Sequence, residues 1–489
     1  MDAAVPADRP APLSHPEVRT IILGVMVAMF IAALDQTIVA TALPTMGRDL
    51  GNFVDLPWVV TAYLVAATAV APLYGKFSDI HGRRVTMLIG ISTFVIGSIA
   101  CALASNMLSL IAARALQGLG GGGLISLAQT VIADVTSPRE RGRYQGYFAA
   151  VFASSSLMGP VLGGVIAEHL HWSIIFWINV PIGLLAYTMT SSALKRLPRH
   201  DRRHRLDVLG AVLLITSSMS LMLGLSWGGE RHAWSSPQVL GLFGASAVFW
   251  VLFGFRQATA TEPLVPLTVL RNSVVRTGTA SSCFGMGALI GLTVFLPVYF
   301  EAVMDLSAAQ SGLALLPLTV GVVLGATVAG RRMVHVEHYK RIPLFGMLLA
   351  MAGCLGLAFY STSLSLPMVE LLLALVSMGM GTMLPVTTVA VQNAVLPHEL
   401  GTTTSAIGFF RQLGGAFMVA VFGTIILSGD RSADGPAATF APGEIDTSPF
   451  AWMFAIAALA FLIAFLLLLM MEERPFRGRS EPTAGSPAG

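Results

Sequence analysis

Long runs of apolar residues, separated by short polar stretches, fill the chain from residue 20 to residue 471. Most runs hold about 20 residues, and a helix of that length crosses the roughly 30 Å hydrocarbon core of a membrane. The pattern predicts fourteen membrane-spanning helices, numbered spans 1 to 14 in chain order. Their predicted limits are 20–43, 56–74, 85–104, 107–132, 144–167, 173–194, 207–227, 237–255, 278–300, 311–330, 343–360, 366–389, 402–428 and 449–471.

The composition supports an all-α membrane protein. Of the 489 residues, 55% are hydrophobic and 11% are charged, whereas soluble domains carry about 25% charged residues. Cys101, Cys283 and Cys354 stand singly within apolar runs, which predicts free thiols rather than a metal or redox site. We therefore expect no metal and no bound cofactor.

Basic residues are distributed unevenly between the two sets of loops. With the N-terminus inside, most of the 29 Lys and Arg fall in cytoplasmic tails and loops, including the runs 195–205 and 331–341. Both termini of this multi-pass membrane protein are therefore expected in the cytoplasm. The proline-rich first residues are expected to be a cytoplasmic tail, because they lack the features of a cleavable signal peptide.

The two ends of the chain resemble each other weakly. Gly118-Leu-Gly120 in span 4 corresponds to Gly379-Met-Gly381 in span 12, and 137-SPRERG-142 corresponds to 397-PHELG-401. Two repeated halves around a central site are a transporter architecture. The predicted parts are a tail at 1–19, a six-helix half at 20–194, a basic loop, two inserted helices and a linker at 195–277, a second six-helix half at 278–471, and a tail at 472–489.

Span 1 carries a carboxylate, Asp35, with apolar neighbours on both sides. Burying it at membrane depth costs roughly 2.5–3.5 kcal/mol, and such residues mark ion or substrate pathways. Either a neighbouring helix simply satisfies Asp35, or Asp35 couples protons to substrate, which we favour. Arg114 in span 4 is expected at the same depth, roughly 10–12 Å below the outer boundary. A contact between them is predicted, directly or through Gln117 or water, unless Arg114 bonds only backbone carbonyls.

The loop after span 2 combines glycines with charges. Gly75 and Gly82 permit a tight turn between two membrane helices. Asp79 offers an acceptor for unpaired N–H groups at a helix end. Arg83 and Arg84 are expected to hold the loop in the cytoplasm.

This loop, 75-GKFSDIHGRR-84, resembles the signature loop of the major facilitator superfamily. Phe77 and Ile80 stand where the family usually has Leu and Arg. The resemblance implies that Asp79 latches the two halves together by meeting the cytoplasmic end of span 13. Asp134, among the arginines after span 4, is interpreted as part of the charge cluster that secures this loop.

Span 5 contains the run 159-GPVLGG-164. Gly159 and Pro160 interrupt the hydrogen-bond ladder, and Gly163 and Gly164 are expected to permit close helix approach. The run resembles the antiporter motif of drug exporters in this superfamily. It favours an exporter over an importing symporter.

Other motifs narrow the resemblance to the fourteen-span drug/proton antiporters, over about residues 17–471. Span 1 reads 34-LDQTIVATALP-44, which is similar to the signature of that family apart from Ala40, and His171-Trp172-Ser173 departs from the family pattern. The further matching segments are Ile178–Gly183, Phe295–Pro297, Gly312–Pro317 and Arg411–Gly415.

The resemblance implies alternating access with proton entry coupled to drug exit, and Asp35 with Arg114 as the coupling pair. The energy source is then the proton gradient, and the absence of a G-x-x-x-x-G-K-[ST] motif gives no indication of ATP hydrolysis. The expected partners are a small-molecule drug, protons and lipid. No nucleic acid and no ATP-hydrolysing subunit are expected.

The drug pocket is expected to be apolar with few polar groups and to take lipophilic, cationic compounds. Arg411 in span 13 is expected to bond polar groups between the halves, while Glu301 near the outer end of span 9 is either solvated or attracts a cation. Each pocket residue is equally well explained by helix packing. The candidates are Met26, Phe30, Gln117, Phe152, Met158, Phe295, Tyr299 and Phe409.

Other functions stay open at this point. The protein could export one antibiotic or metabolite, or import by symport, or be a sensor that transports nothing. A membrane enzyme would need clustered nucleophiles, bases or metal ligands, and the ten histidines form no H-E-x-x-H motif. We therefore do not expect an enzyme.

Overall fold

A computed structural model describes residues 14–51, 55–196, 207–229, 231–264, 269, 271–333, 335–360, 363–428 and 448–475. The helices among these residues are α-helices and two short 3-10 helices. Fourteen helical segments are long and apolar enough to cross a membrane. The predicted all-α fold and the number of spans are confirmed. Most of both predicted tails and of the basic run 195–205 lies outside the described residues.

Most spans are one continuous helix, whereas spans 4, 6 and 10 are each two helices in series. Spans 1 to 6 are His15–Leu50, Pro57–His81, Arg83–Ala102, Met107–Gly121 with Leu124–Val135, Pro138–His169, and Ile174–Trp177 with Asn179–Ala193. Spans 7 and 8 are Val208–Trp227 and Pro237–Thr259. Spans 9 to 14 are Ser273–Met304, Ala308–Ala314 with Leu316–Arg332, Arg341–Tyr360, Leu366–Asn393, Leu400–Ser428 and Ser448–Met470.

Polar residues cap several helices where the chain leaves a loop. The hydroxyl of Ser137 accepts the N–H of Glu140, and the Glu140 carboxylate accepts the N–H of Ser137. Asn106 accepts the N–H of Ser109 at 2.9 Å and so caps span 4. Caps of this kind satisfy amides that have no partner in the first turn and fix where a helix begins.

Two groups of six spans each pack around their own apolar core. In the first group, span 1 packs along spans 5 and 6, and span 3 along span 4. In the second, span 9 packs along span 13, and span 12 along spans 10 and 11. One large buried cluster lies almost entirely in spans 9 to 14, and two smaller clusters lie in spans 1 to 6. We keep the halves 20–194 and 278–471 as a proposal.

Spans 7 and 8 pack against each other beside the junction of these groups. Span 7 contacts span 2 from one group and span 13 from the other. Asp207, which caps span 7, pairs with Arg256 Nε of span 8 at 3.0 Å. The hydroxyl of Ser246 donates to the Ser217 carbonyl at 2.9 Å. An ion pair at one end and a hydroxyl bond farther along thus hold the two inserted helices together.

The glycine run 120-GGGG-123 lies where the helix of span 4 is interrupted. A Cβ on Gly120 would lie 2.2 Å from the backbone nitrogen of Phe94 in span 3. A Cβ on Gly122 would lie 2.2 Å from the carbonyl oxygen of Ala67 in span 2. Spans 2 and 3 therefore approach span 4 as closely as only glycine allows.

Gly120→Ala is expected to destabilise the fold by about 1–3 kcal/mol, because the new methyl group overlaps the Phe94 backbone. Thermal unfolding of the purified protein in detergent measures this. Gly241→Ala is the matched control, since its Cβ would meet no atom within 4 Å. Equal melting temperatures for the two variants would show that span 4 tolerates looser packing.

Candidate functional site

Asp35 and Arg114 form a buried ion pair. Asp35 Oδ2 accepts from Arg114 Nη1 at 2.6 Å, and the two side chains are 0% and 1% exposed. Asp35 Oδ1 accepts from Gln117 Nε2 at 2.8 Å and from Asn179 Nδ2 at 2.9 Å. Spans 1, 4 and 6 therefore meet at one carboxylate. We call these four residues the ion-pair site.

Arg114 also reaches span 2. Its Nε donates to the Val59 carbonyl at 3.0 Å, and its guanidinium lies 4.4 Å from the centre of the Tyr63 ring. Nη1 donates in addition to Gln117 Oε1 at 2.7 Å. The contact with Asp35 and the bond to a backbone carbonyl, weighed as alternatives from the sequence, occur together.

Asn179 and Ser98 belong to this network and were not singled out from the sequence. Ser98 Oγ accepts from Asn179 Nδ2 at 2.9 Å and from Gln117 Nε2 at 3.2 Å. It donates to the Phe176 carbonyl at 3.0 Å. The available signal was an amide within the matching segment Ile178–Gly183, since a polar side chain in an apolar span needs a partner.

Protonation of Asp35 would change the contacts that hold the helices around the ion-pair site. Burying both charges carries a desolvation cost, and removing one partner would leave the other charge uncompensated. A proton on Asp35 would cancel its charge and release Arg114 to other acceptors. Because the partners come from spans 1, 2, 4 and 6, that exchange changes how four helices are held together.

Span 5 packs against span 1 directly beside this site. Thr37 Oγ1, two residues after Asp35, donates to the Ser155 carbonyl at 3.0 Å. A Cβ on Gly159 would lie 2.0 Å from Thr37 Oγ1, and one on Gly163 would lie 2.5 Å from the Ile38 carbonyl oxygen. Both glycines are therefore needed for the approach of spans 1 and 5.

Gly164 does not share this role. A Cβ at Gly164 would meet no atom within 4 Å, so the expectation that it permits close helix approach is wrong. Its position one residue after Gly163 turns it away from span 1. Pro160 lies inside the continuous helix Pro138–His169, where it removes one backbone donor from the ladder.

Asp79 bonds the first turn of span 13. Its Oδ1 accepts the N–H of Gly401 at 3.0 Å, and its Oδ2 accepts the N–H and the hydroxyl of Thr402, both at 2.8 Å. The amides at a helix N-terminus have no partner within the helix, and the dipole there favours a negative charge. This contact, which the resemblance implied, is called the latch, and the end of the molecule that carries it is called the latch face.

Arg83 holds the latch carboxylate in place. It donates to Asp79 Oδ1 at 2.5 Å, to Ser78 Oγ at 2.6 Å and to Asp134 Oδ2 at 2.7 Å. Asp134 therefore takes the place in the charge cluster that the sequence indicated. Beside it, a Cβ on Gly75 would lie 2.4 Å from the carbonyl oxygen of residue 401, so spans 2 and 13 touch through their backbones.

The remaining loop residues shape the turn. Gly82 lies between the helices of spans 2 and 3 and has a φ of 87°. Glycine adopts this positive φ at little energetic cost, whereas other residues are strained there. Arg84 donates from Nε to the Ser191 carbonyl at 2.9 Å and from Nη2 to the Ser191 hydroxyl at 3.0 Å. Arg84 thereby ties the loop to the end of span 6.

Spans 5 and 10 make a second contact between the two groups at the latch face. A Cβ on Gly330 would lie 2.0 Å from the Gly142 carbonyl oxygen, and a Cβ on Gly142 would lie 2.6 Å from the Gly330 carbonyl oxygen. The pairs of spans 2 with 13 and 5 with 10 therefore both meet there. The molecule is closed at its latch face.

The predicted pocket residues divide into two sets. Five keep exposed surface and are available to line a binding space. These are Met26, Phe30, Phe152, Met158 and Phe295.

The other three pocket predictions are wrong. Tyr299 is 0% exposed and packs on Phe450 with ring centres 5.5 Å apart, inside the core of the second group. Phe409 is 2% exposed and faces Trp250 of inserted span 8 at 6.4 Å. Gln117 is buried within the ion-pair site.

Within the described part of the chain, Arg411 bonds only hydroxyl groups. Its Nη2 lies 2.9 Å from Thr388 Oγ1, 3.4 Å from Thr387 Oγ1 and 3.5 Å from Ser282 Oγ. These residues belong to spans 12 and 9, in the same group as span 13. Arg411 was expected to bond polar groups between the halves. Its hydrogen bonds instead stay within the second group of spans.

Comparisons with known proteins agree with this architecture. The model of the Major Facilitator Superfamily matches residues 25–419. The chain is 33% identical over 447 residues to the multidrug transporter protein MdtP of Bacillus subtilis (strain 168), covering 88% of this chain and 82% of that one. It is 34% identical over 405 residues to multidrug resistance protein 3 of the same organism, covering 83% and 79%.

Among solved structures, the human organic anion transporter MFSD10 has the same fold. It superposes with a TM-score of 0.66 at 18% sequence identity, over 93% of this chain and 100% of that one.

Asp79→Asn is expected to open the latch face, because the new amide N–H groups point at the N–H donors of span 13. We expect about tenfold faster maleimide labelling of Ser126→Cys, which lies where spans 4 and 13 touch, in a variant whose three native cysteines are alanine. The control is Asp49→Asn, a 46% exposed carboxylate outside the latch. Unchanged labelling in Asp79→Asn would mean that glycine packing alone closes this face.

Proposed function

Because the chain belongs to the major facilitator superfamily, we propose that it is a proton-coupled antiporter that exports lipophilic small molecules by alternating access. The observation that carries the proposal is the buried Asp35–Arg114 pair, a titratable charge inside a transporter fold. Relatives at 33% and 34% identity bear the names of multidrug proteins, which supports a drug as cargo. The chain is a membrane transporter and not an enzyme.

The proton step uses the occlusion of Asp35. With the latch face closed, Asp35 is 0% exposed and accepts three hydrogen bonds. When the opposite face opens far enough to hydrate the site, a proton from the acidic side neutralises Asp35 and frees Arg114. Loss of that proton on the other side restores the pair. Substrate exit and proton entry then use the same opening in turn.

The helix contacts offer a route from this site to the latch face. Thr37 and Gly159 join span 1 to span 5 two residues from Asp35. Farther along span 5, Gly142 packs on Gly330 of span 10. A shift of span 1 against span 5 is therefore passed along one rigid helix to a contact between the two halves.

The substrate space draws on the five exposed candidates, four of which are Met or Phe in spans 1 and 5. Met adapts its shape to varied ligands, which suits a broad exporter. The predicted preference for cations stays a prediction. Its counter-charge would be ionised Asp35, with the cation in the place of Arg114, or the exposed Glu301.

The proposed setting is the bacterial plasma membrane, with the latch face and both termini in the cytoplasm. The support is the positive-inside rule, since the Arg83–Arg84 pair lies on the latch face. Export then runs toward the face that is open when the latch is closed.

Asp35→Asn is expected to reduce pH-gradient-driven dye export to the level of vesicles without protein, because Asn takes up no proton. The protein stays folded, since Asn keeps an oxygen acceptor for Arg114, with a lower melting temperature from the unpaired cation. Export from proteoliposomes and thermal unfolding are measured together. The control is Asp49→Asn, an exposed carboxylate at the opposite end of span 1 from the N-terminus.

Undiminished gradient-driven export by Asp35→Asn would refute the coupling role. Dye uptake along the proton gradient, rather than exchange against it, would favour the importing symporter. A growth panel separates the two exporters: resistance to several unrelated compounds supports multidrug export, whereas resistance to one supports a narrow exporter.

A further inference from the structure

Arg411 is a cation within span 13 that has no carboxylate partner among the described residues. Among the residues that the structure describes, every Arg–carboxylate pair within 4.0 Å involves another arginine. The Nε of Arg411 is buried without a hydrogen-bond partner in the described part of the chain. An isolated charge at membrane depth is costly unless it is paired, so the guanidinium carries unsatisfied binding capacity.

The hydroxyls around Arg411 do not supply the missing charge. Thr387, Thr388 and Ser282 share a single guanidinium nitrogen, two of them at 3.4 Å or more. Neutral hydroxyls accept hydrogen bonds but leave the positive charge in place. They orient the guanidinium toward spans 9 and 12, inside the second group rather than toward lipid.

Two glycines of span 13 contact the first group, and they locate Arg411 relative to that contact. At the latch face, Gly401 touches span 2, and two turns farther a Cβ on Gly408 would lie 2.8 Å from Ser126 Oγ of span 4. Arg411 is one turn beyond that last contact and keeps partial exposure. It therefore lies one turn beyond the contact between spans 4 and 13, on the side away from the latch face.

The two groups differ in whether an arginine within a span has a carboxylate partner. Arg114 in the first group is neutralised by Asp35, whereas Arg411 in the second group is not neutralised by any described residue. The charge of Arg411 is thus uncompensated among the described residues, and a negatively charged group of a ligand would compensate it through the planar donor set of arginine.

We propose that Arg411 binds the carboxylate of transported compounds, so that the cargo includes lipophilic acids and zwitterions. This inference rests on the proposed export function and names part of its substrate class. It is independent of the cation prediction, because a cationic group of the same molecule would meet Asp35 in the other half.

The test compares two dyes that differ in one group: rhodamine 6G, an ester, and its free acid, which carries a carboxylate. Binding to the purified protein is measured by fluorescence anisotropy. We expect the wild type to bind the acid about tenfold more tightly than the ester, and Arg411→Gln to bind both equally. Arg411→Lys should keep part of the preference, since it keeps the charge but loses the planar donors.

Arg48→Gln, at an exposed arginine near the end of span 1, is the matched control and should bind as the wild type does. An unchanged acid preference in Arg411→Gln, an equal loss of both dyes, or a wild type that binds neither dye would overturn the inference. Gradient-driven export of the ester by Arg411→Gln is measured in proteoliposomes. This measurement distinguishes failure of the inference from failure of the proposed export function. If that export persists without any acid preference in the wild type, the export function stands and the inference fails.

Discussion

The pairing of Arg114 with Asp35 is the interaction on which the first half of the molecule depends. A guanidinium inside a membrane has no water to solvate it, so the protein must supply both a counter-charge and acceptors. Asp35 provides the charge, and Gln117 and a span 2 carbonyl accept further hydrogen bonds from Arg114, while Asn179 donates to Asp35. The angular positions of four spans follow, because each must present its polar group to the same point.

Glycine contacts and charged contacts both join the two groups of spans, in different ways. Backbone contacts at Gly75 and Gly142 set how closely spans 2 and 13, and spans 5 and 10, can approach. Such contacts gain only dispersion energy and have little preference among apolar partners. The latch adds direction, since the amides of one helix end donate only to a correctly placed carboxylate. The glycine contacts therefore allow the two groups to close together, and the Asp79 latch fixes the position in which they close.

Sequence reasoning predicted what depends on position along a helix and failed where direction around the helix decides. Asp35 and Arg114 were expected at one depth because the rise per residue is fixed. Depth does not tell which way a side chain points, so Asn179 was missed although it completes the site. Tyr299 and Phe409 were wrongly expected in the pocket for the same reason. In the sequence of an apolar helix, an aromatic residue that faces the core cannot be distinguished from one that faces a cavity.

The latch also has a consequence for how the protein is made. Asp79 and the amide of Gly401 are 322 residues apart, and at roughly 5–20 residues per second their synthesis is separated by about 16–64 seconds. During that interval the nascent first half has no span 13 to bond. Arg83, four residues away, is already present to hold the carboxylate. The local ion pair thus keeps the turn in shape at the ribosome until its distant partner is inserted.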